Sequence, residues 1–165
     1  MCIRDRSKIA NQDVQQLFRE RKVSKRYTAI VRGFVEQSGT INYALLNKDK
    51  LQEAATDYEL IRHYELDLPF GKFNTSRYSH IWLKPQTGRY HQLRKHMAHI
   101  FHPIIGDRPH GCNKQNKLWK EKFGMMTMLL HAERLELEYP RGNPLVIRSD
   151  HGEEFERVLQ ILSSG

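Results

Sequence analysis

Eight residues, Arg89-Tyr90-His91-Gln92-Leu93-Arg94-Lys95-His96, concentrate the chemistry of this chain. Guanidinium, ammonium and imidazole groups crowded on one short segment repel one another, and burying them is costly. Such a cluster needs a partner of opposite character: a buried carboxylate, a phosphate, or both. The setting is defined at both ends. A tight turn, Pro85-Gln86-Thr87-Gly88, precedes the cluster, and His102-Pro103 and an apolar step into Gly106-Asp107 come after it.

Several chemistries are open to these residue types. His91, His96, His99, His102, His110 and Cys112 could ligate a metal, but no Cys-x-x-Cys or His-Glu-x-x-His spacing is present. Arg89 and Arg94 flank His91, a poor place for a dication, and no metal is expected. There is no Gly-x-Ser-x-Gly, no phosphate-binding Gly-x-x-x-x-Gly-Lys and no dinucleotide fingerprint. An RNA site fits better. It needs cations along a backbone path, flat side chains to stack on a base, and donors for the edge of an extruded base. Arg89, Arg94, Lys95, Tyr27, Tyr90 and His91 supply these types. On residue type alone, Tyr27 serves equally well as a strand aromatic filling core. Arg94 could be a surface helix charge, although Leu93 and Met97 draw its helix inward.

The composition points to a polyanionic partner. Lys and Arg number 27 against 19 Asp and Glu in 165 residues, a net charge of +8 and a pI near 9.6. Cations gather in 19–32, 84–95 and 108–122, and acidic residues in 133–138 and 150–156, which suits a groove tracking phosphates. Apolar content is 39%, which is enough for one domain with a core. No apolar run is long enough to span a bilayer, no signal-peptide pattern is present, and two cysteines make no disulfide framework. A cytoplasmic protein with no membrane partner is expected.

Periodicity sets the elements that must hold the cluster. Ser7 can cap a helix over 8–21, with Ile9, Ala10, Val14, Leu17 and Phe18 at helical spacing. Residues 25–35 read as a strand with Tyr27, Ala29 and Val31 on one face and Thr28, Ile30 and Arg32 on the other. Further strands are expected over 40–46, 54–64, 76–84, 126–139 and 145–148, with a polar loop at 47–50 and another loop at 67–75. A helix near 91–101 buries Leu93, Met97 and Ile100 and ends before Pro103. One helical turn is expected at 115–122. Arg141-Gly142-Asn143-Pro144 is a hairpin turn. Asp150 and Glu153 form a capping-box signal for a last helix that buries Phe155, Val158, Leu159 and Leu162. The pattern is an α+β domain, mainly an antiparallel sheet with flanking helices.

These segments resemble the RluA-type family of pseudouridine synthases. Lys25-Arg26-Tyr27-Thr28-Ala29-Ile30-Val31-Arg32-Gly33 is similar to the family's tyrosine strand, and Ala54-Ala55-Thr56-Asp57-Tyr58 to its Ala-x-Thr-x-Tyr strand. Lys84 to His96, continuing through His102-Pro103-Ile104-Ile105-Gly106-Asp107, resembles its arginine motif. Leu129-Leu130-His131-Ala132 resembles its late sheet strand. Thr75-Ser76-Arg77-Tyr78, His110-Gly111 and Gln115-Asn116 narrow the resemblance to a branch acting on tRNA. The match runs from about Ser7 to about Pro144.

The resemblance implies isomerisation of a specific uridine to pseudouridine in tRNA by a monomer, with no cofactor. Tyr27 and Arg94 would be catalytic: Tyr27 stacks on or protonates around the base, and Arg94 pairs with an acting aspartate. Arg26, Arg32, Arg89, Tyr90, His91, Lys95 and His96 would bind RNA. The family's aspartate lies in a His-Arg-Leu-Asp motif, which this chain does not contain. The expectation is therefore a catalytic fold incomplete at its N-terminus, with 1–6 a non-native leader and 7–165 the larger, C-terminal part of one domain. Alone it should be inactive. The competing reading is a non-catalytic RNA-binding module.

Overall fold

The computed structural model describes residues 8–20, 22–139 and 142–164. The expected leader, 1–6, lies outside them. Four helices and eight strands run in the order α1 (Lys8–Arg19), β1 (Val23–Arg32), β2 (Ser38–Asn42), β3 (Leu45–Asn47), β4 (Lys50–Gln52), β5 (Ala55–Leu66), β6 (Ser76–Pro85), α2 (Gln92–His99), α3 (Asn113–Phe123), β7 (Leu130–Glu138), β8 (Pro144–Arg148) and α4 (Glu153–Ser163). Six strands form one sheet in the order β2-β5-β6-β1-β7-β8, and β3-β4 is a separate hairpin. Each pairing is antiparallel.

The alternation in β1 sorts two cores onto the two faces of this sheet. Ala29 and Val31 join Ile81, Leu83, Leu93, Met97 and Ile104 on one face, so α2 packs there. Ile30 joins Tyr78, Trp119, Phe155, Val158 and Leu162 on the other, under α3 and α4. Tyr27 sits where β1 and β7 shift register between Arg26 and Tyr27. Bulges of this kind bend a strand and re-aim a side chain.

The segment after α2 is tied into the sheet by backbone bonds. Arg32 N–H donates to Pro103 O, Ile105 N–H to Ile30 O, and Leu129 N–H to Ile105 O. Two glycines shape the loop beyond Ile105. Gly106 has φ +82, and a Cβ there would lie 2.2 Å from Thr127 O. A Cβ on Gly111 would lie 2.0 Å from Asp107 O. Only glycine lets the backbone close this tightly around Asp107.

Local expectations differ from the structure in four places, each for a tertiary or backbone reason. The 40–46 strand breaks after Asn42, where Tyr43 turns to stack on His99 and gives its carbonyl to His96. The 47–50 loop is the turn of the β3–β4 hairpin, with Lys48 and Asp49 at φ 45° and 64°. No Asn-Gly pair announces it. The single turn expected at 115–122 is the full helix α3, because Gln115 and Trp119 are buried along it and Gly124 caps it at φ 65°. Asp150 does not cap the last helix. Gly152 takes that place, and Glu153, Glu154 and Glu156 complement the helix dipole from the first turn. The turn expected at 141–144 lies partly outside the described residues.

Candidate active site

Tyr27 and Arg94 line the same cavity, about 180 Å³, although they are far apart in sequence. Its other walls include Lys25, Thr87, Arg89, His91 and Gln92. The floor is set by Gln92, which is buried and uses both ends of its amide. Its Oε1 accepts from Thr87 Oγ1 (2.7 Å) and from Arg89 N–H (3.0 Å). Its Nε2 donates to Ala55 O (2.9 Å) and Thr56 Oγ1 (3.0 Å). One side chain thus locks the turn, the start of α2 and the edge of β5 together. This is why an Ala-x-Thr strand and an arginine-bearing helix occur in one chain.

Arg94 has a carboxylate partner within the chain. Nε and Nη2 donate to Asp107 Oδ2 and Oδ1 at 2.9 and 2.6 Å, a bidentate pair with Asp107 1% exposed. The expectation that this partner lies wholly outside the chain is corrected by that geometry. Asp107 also accepts His110 N–H at 3.1 Å. Burial alone would raise its carboxyl, but the hydrogen bonds and charge of Arg94 and the His110 N–H outweigh it and hold it below its ordinary range. The same contact with Asp107 raises Arg94. Breaking such a pair would leave one charge uncompensated, so the guanidinium is firmly placed.

His91 completes the network from an unusual backbone position, φ 54°, at the start of α2. Arg94 Nη1 lies 3.1 Å from His91 Nε2, and His91 Nδ1 lies 3.1 Å from His110 Nε2. Arginine can only donate, so His91 Nε2 must accept. The proton of neutral His91 is then on Nδ1, His110 Nε2 accepts it, and His110 carries its own proton on Nδ1. Burial and then the charge of Arg94 hold His91 below its ordinary range, and burial lowers His110, in agreement with two neutral rings. Tyr90 stacks on His91 at 3.7 Å while remaining 64% exposed, which leaves an aromatic face for a base. Lys95 Nζ lies 5.8 Å from the Tyr90 ring and 3.4 Å from Leu46 O.

The expected RNA-binding residues divide. Arg89, Tyr90, His91 and Lys95 stand around Arg94. His96 is fully buried and its Nε2 donates to Tyr43 O at 3.0 Å, so it has no surface to offer RNA and serves the packing of α2. Arg26 and Arg32 alternate with Tyr27 along β1 and face the other side of the sheet. Arg26 pairs with Glu133 at 2.8 Å and stacks on Trp82, and Arg32 lies over Phe70. Residue type and spacing gave no role to Asp107, His110 or Asn116. Asn116 takes Gly106 N–H and donates to Asp107 O, fixing the loop. Their signal was present in the His110-Gly111 and Gln115-Asn116 pairs, without a partner to explain them.

Among the described residues, no three His, Cys, Asp or Glu side chains gather as a metal-binding set. No helix among them is long and apolar enough to cross a membrane.

Comparison with known proteins gives a consistent set of likenesses. Residues 6–99 match the family described as RNA pseudouridylate synthase. The chain is 41% identical over 166 residues to tRNA pseudouridine synthase C of Vibrio parahaemolyticus, covering 93% of this chain and 67% of that one. It is 39% identical over 163 residues to tRNA pseudouridine synthase C of Salmonella typhi, covering 91% and 63%. The chain thus spans about two thirds of the length of these relatives. Its fold is that of human RNA pseudouridylate synthase domain containing 1, with a TM-score of 0.72 at 23% identity, over 97% of this chain and 74% of that chain.

Proposed function

The chain belongs to the RNA pseudouridylate synthase family, and from that premise we propose that the protein isomerises uridine to pseudouridine in tRNA. The observation that carries this reading is the shared cavity of Tyr27 and Arg94, with the stacking face of Tyr90 beside it. In the reaction, the N1–C1′ bond of a uridine breaks and a C5–C1′ bond forms. The C5 proton is lost and N1 gains one, so the change is an isomerisation with no net oxidation. Tyr27 offers a ring to the base and a hydroxyl that burial holds protonated. Arg94, fixed by Asp107, presents positive charge at the cavity wall. Arg89, Tyr90, His91 and Lys95 receive the RNA around it.

The acting carboxylate is assigned to a segment outside these 165 residues. Asp107 is too deeply enclosed to reach a sugar, and no His-Arg-Leu-Asp is present. In this reading 7–165 forms the larger, C-terminal part of a single catalytic domain. A non-catalytic RNA-binding module is the competing reading. The test is tritium release from tRNA labelled at uridine C5. The whole protein should release it and the 165-residue chain should not. Release by this chain alone would show that the carboxylate is already on it.

A further inference from the structure

The cavity holds more cationic groups than it can use within the protein, and one of them is uncommitted. Arg94 spends Nε and Nη2 on Asp107 and Nη1 on His91. Arg89 gives Nε to Glu53 O at 3.1 Å. His91 is engaged at both nitrogens, and Gln92 and Thr87 satisfy each other. Lys25 differs. Its Nζ lies 4.5 Å from the Phe18 ring centroid, and no carboxylate or carbonyl partner binds it among the described residues. It stands on β1 two residues before Tyr27, on the same wall, and opens towards Gly88, whose added Cβ would lie 3.8 Å from Nζ. An ammonium half withdrawn from water without an anion is an unfavourable arrangement unless a ligand supplies one. Its burial lowers its affinity for a proton, as expected of a cation lacking a counter-charge.

We propose that Lys25 is the phosphate-binding residue of this cavity, receiving the RNA phosphodiester next to the nucleotide that enters against Tyr27. This rests on the RNA reading of the same site and deepens it, because it divides the labour between two cations. Arg94 is neutralised by Asp107 and orients. Lys25 keeps its charge for the backbone. Gly88, with no side chain, leaves the ammonium reachable from outside, whereas a larger residue there would crowd it. Phe18 lies against the lysine and brings α1 to the edge of the site.

The test is equilibrium binding of tRNA to the 165-residue chain across salt concentration, for the wild type, Lys25→Gln, Lys25→Arg and Lys117→Gln as a surface control. Loss of one phosphate contact should lower the slope of log affinity against log salt by about 0.7 to 0.9. Lys25→Gln should show that drop and bind several-fold more weakly at low salt. Lys25→Arg should restore both, and Lys117→Gln should change neither. The melting temperature of Lys25→Gln should match the wild type, because no protein partner is lost. Unchanged affinity in Lys25→Gln, or weaker binding with an unchanged slope, overturns the assignment and leaves the function reading standing. A wild-type chain that binds no tRNA at any salt overturns both.

Discussion

The two faces of the central sheet bury polar groups in opposite ways. On the α2 face the buried group is an ion pair, Arg94–Asp107, at the wall of an open cavity. On the α3–α4 face the buried groups are neutral and closed in. Tyr78 OH accepts from Gln115 Nε2 and Trp119 Nε1, each at 3.0 Å, and His80 meets Thr28 Oγ1 at 2.6 Å. A charged pair in low dielectric is worth keeping only where its charge is used, since an apolar replacement is often as stable. The neutral network asks for no ligand. The difference locates the chemistry on one face and the scaffold on the other.

Removing the charge from one member of the pair should give the largest effect. Asp107→Asn leaves Arg94 without its counter-ion and should cost about 3 kcal/mol in denaturant unfolding. A misplaced guanidinium should also lower turnover by the whole protein about a hundredfold, with tRNA affinity nearly unchanged. Stability and turnover both near wild type would show that the pair is not what fixes Arg94.

A smaller effect is expected from pH on the scaffold face. Burial first, and then His151, pushes His80 down to about 4 from 6.5. As pH falls through 6.5 the unfolded chain takes up a proton that the folded chain refuses until about 4. The stability present above pH 6.5 is therefore lost between 6.5 and 4, by about 3 kcal/mol for this group. Unfolding measured at pH 7 and pH 4.5 should show a steeper loss in the wild type than in His80→Gln. Equal slopes would remove His80 from the acid response.

Tyr78→Phe is the mildest of the three and the cleanest contrast. It leaves the Gln115 and Trp119 donors without an acceptor, at a cost of about 2 kcal/mol. Binding of tRNA should not move, because Tyr78 lies on the far face. A loss of affinity matching the loss of stability would blur the division between the faces.

Much of the fold was readable in the chain. The alternation of Tyr27, Ala29 and Val31 against Thr28, Ile30 and Arg32 separates the two cores, and Leu93 with Met97 sets which way α2 faces. The misreadings fell where distant groups compete with local preference. Tyr43 leaves its strand for His99 and His96, Trp119 extends α3, and Gly152 displaces Asp150 as a cap. Residue types and spacing marked Arg94, Tyr27 and the 87–107 stretch as the place of chemistry, and that is a property of the sequence alone. Only the tertiary structure decided which of its cations are committed. Asp107 lies 13 residues from Arg94, beyond any helical or strand period, and meets it because Gly106 and Gly111 fold the loop back. The same folding buries His96, turns Arg26 and Arg32 away, and leaves Lys25 facing the cavity without a protein anion, since pairing across a fold depends on geometry that spacing does not carry.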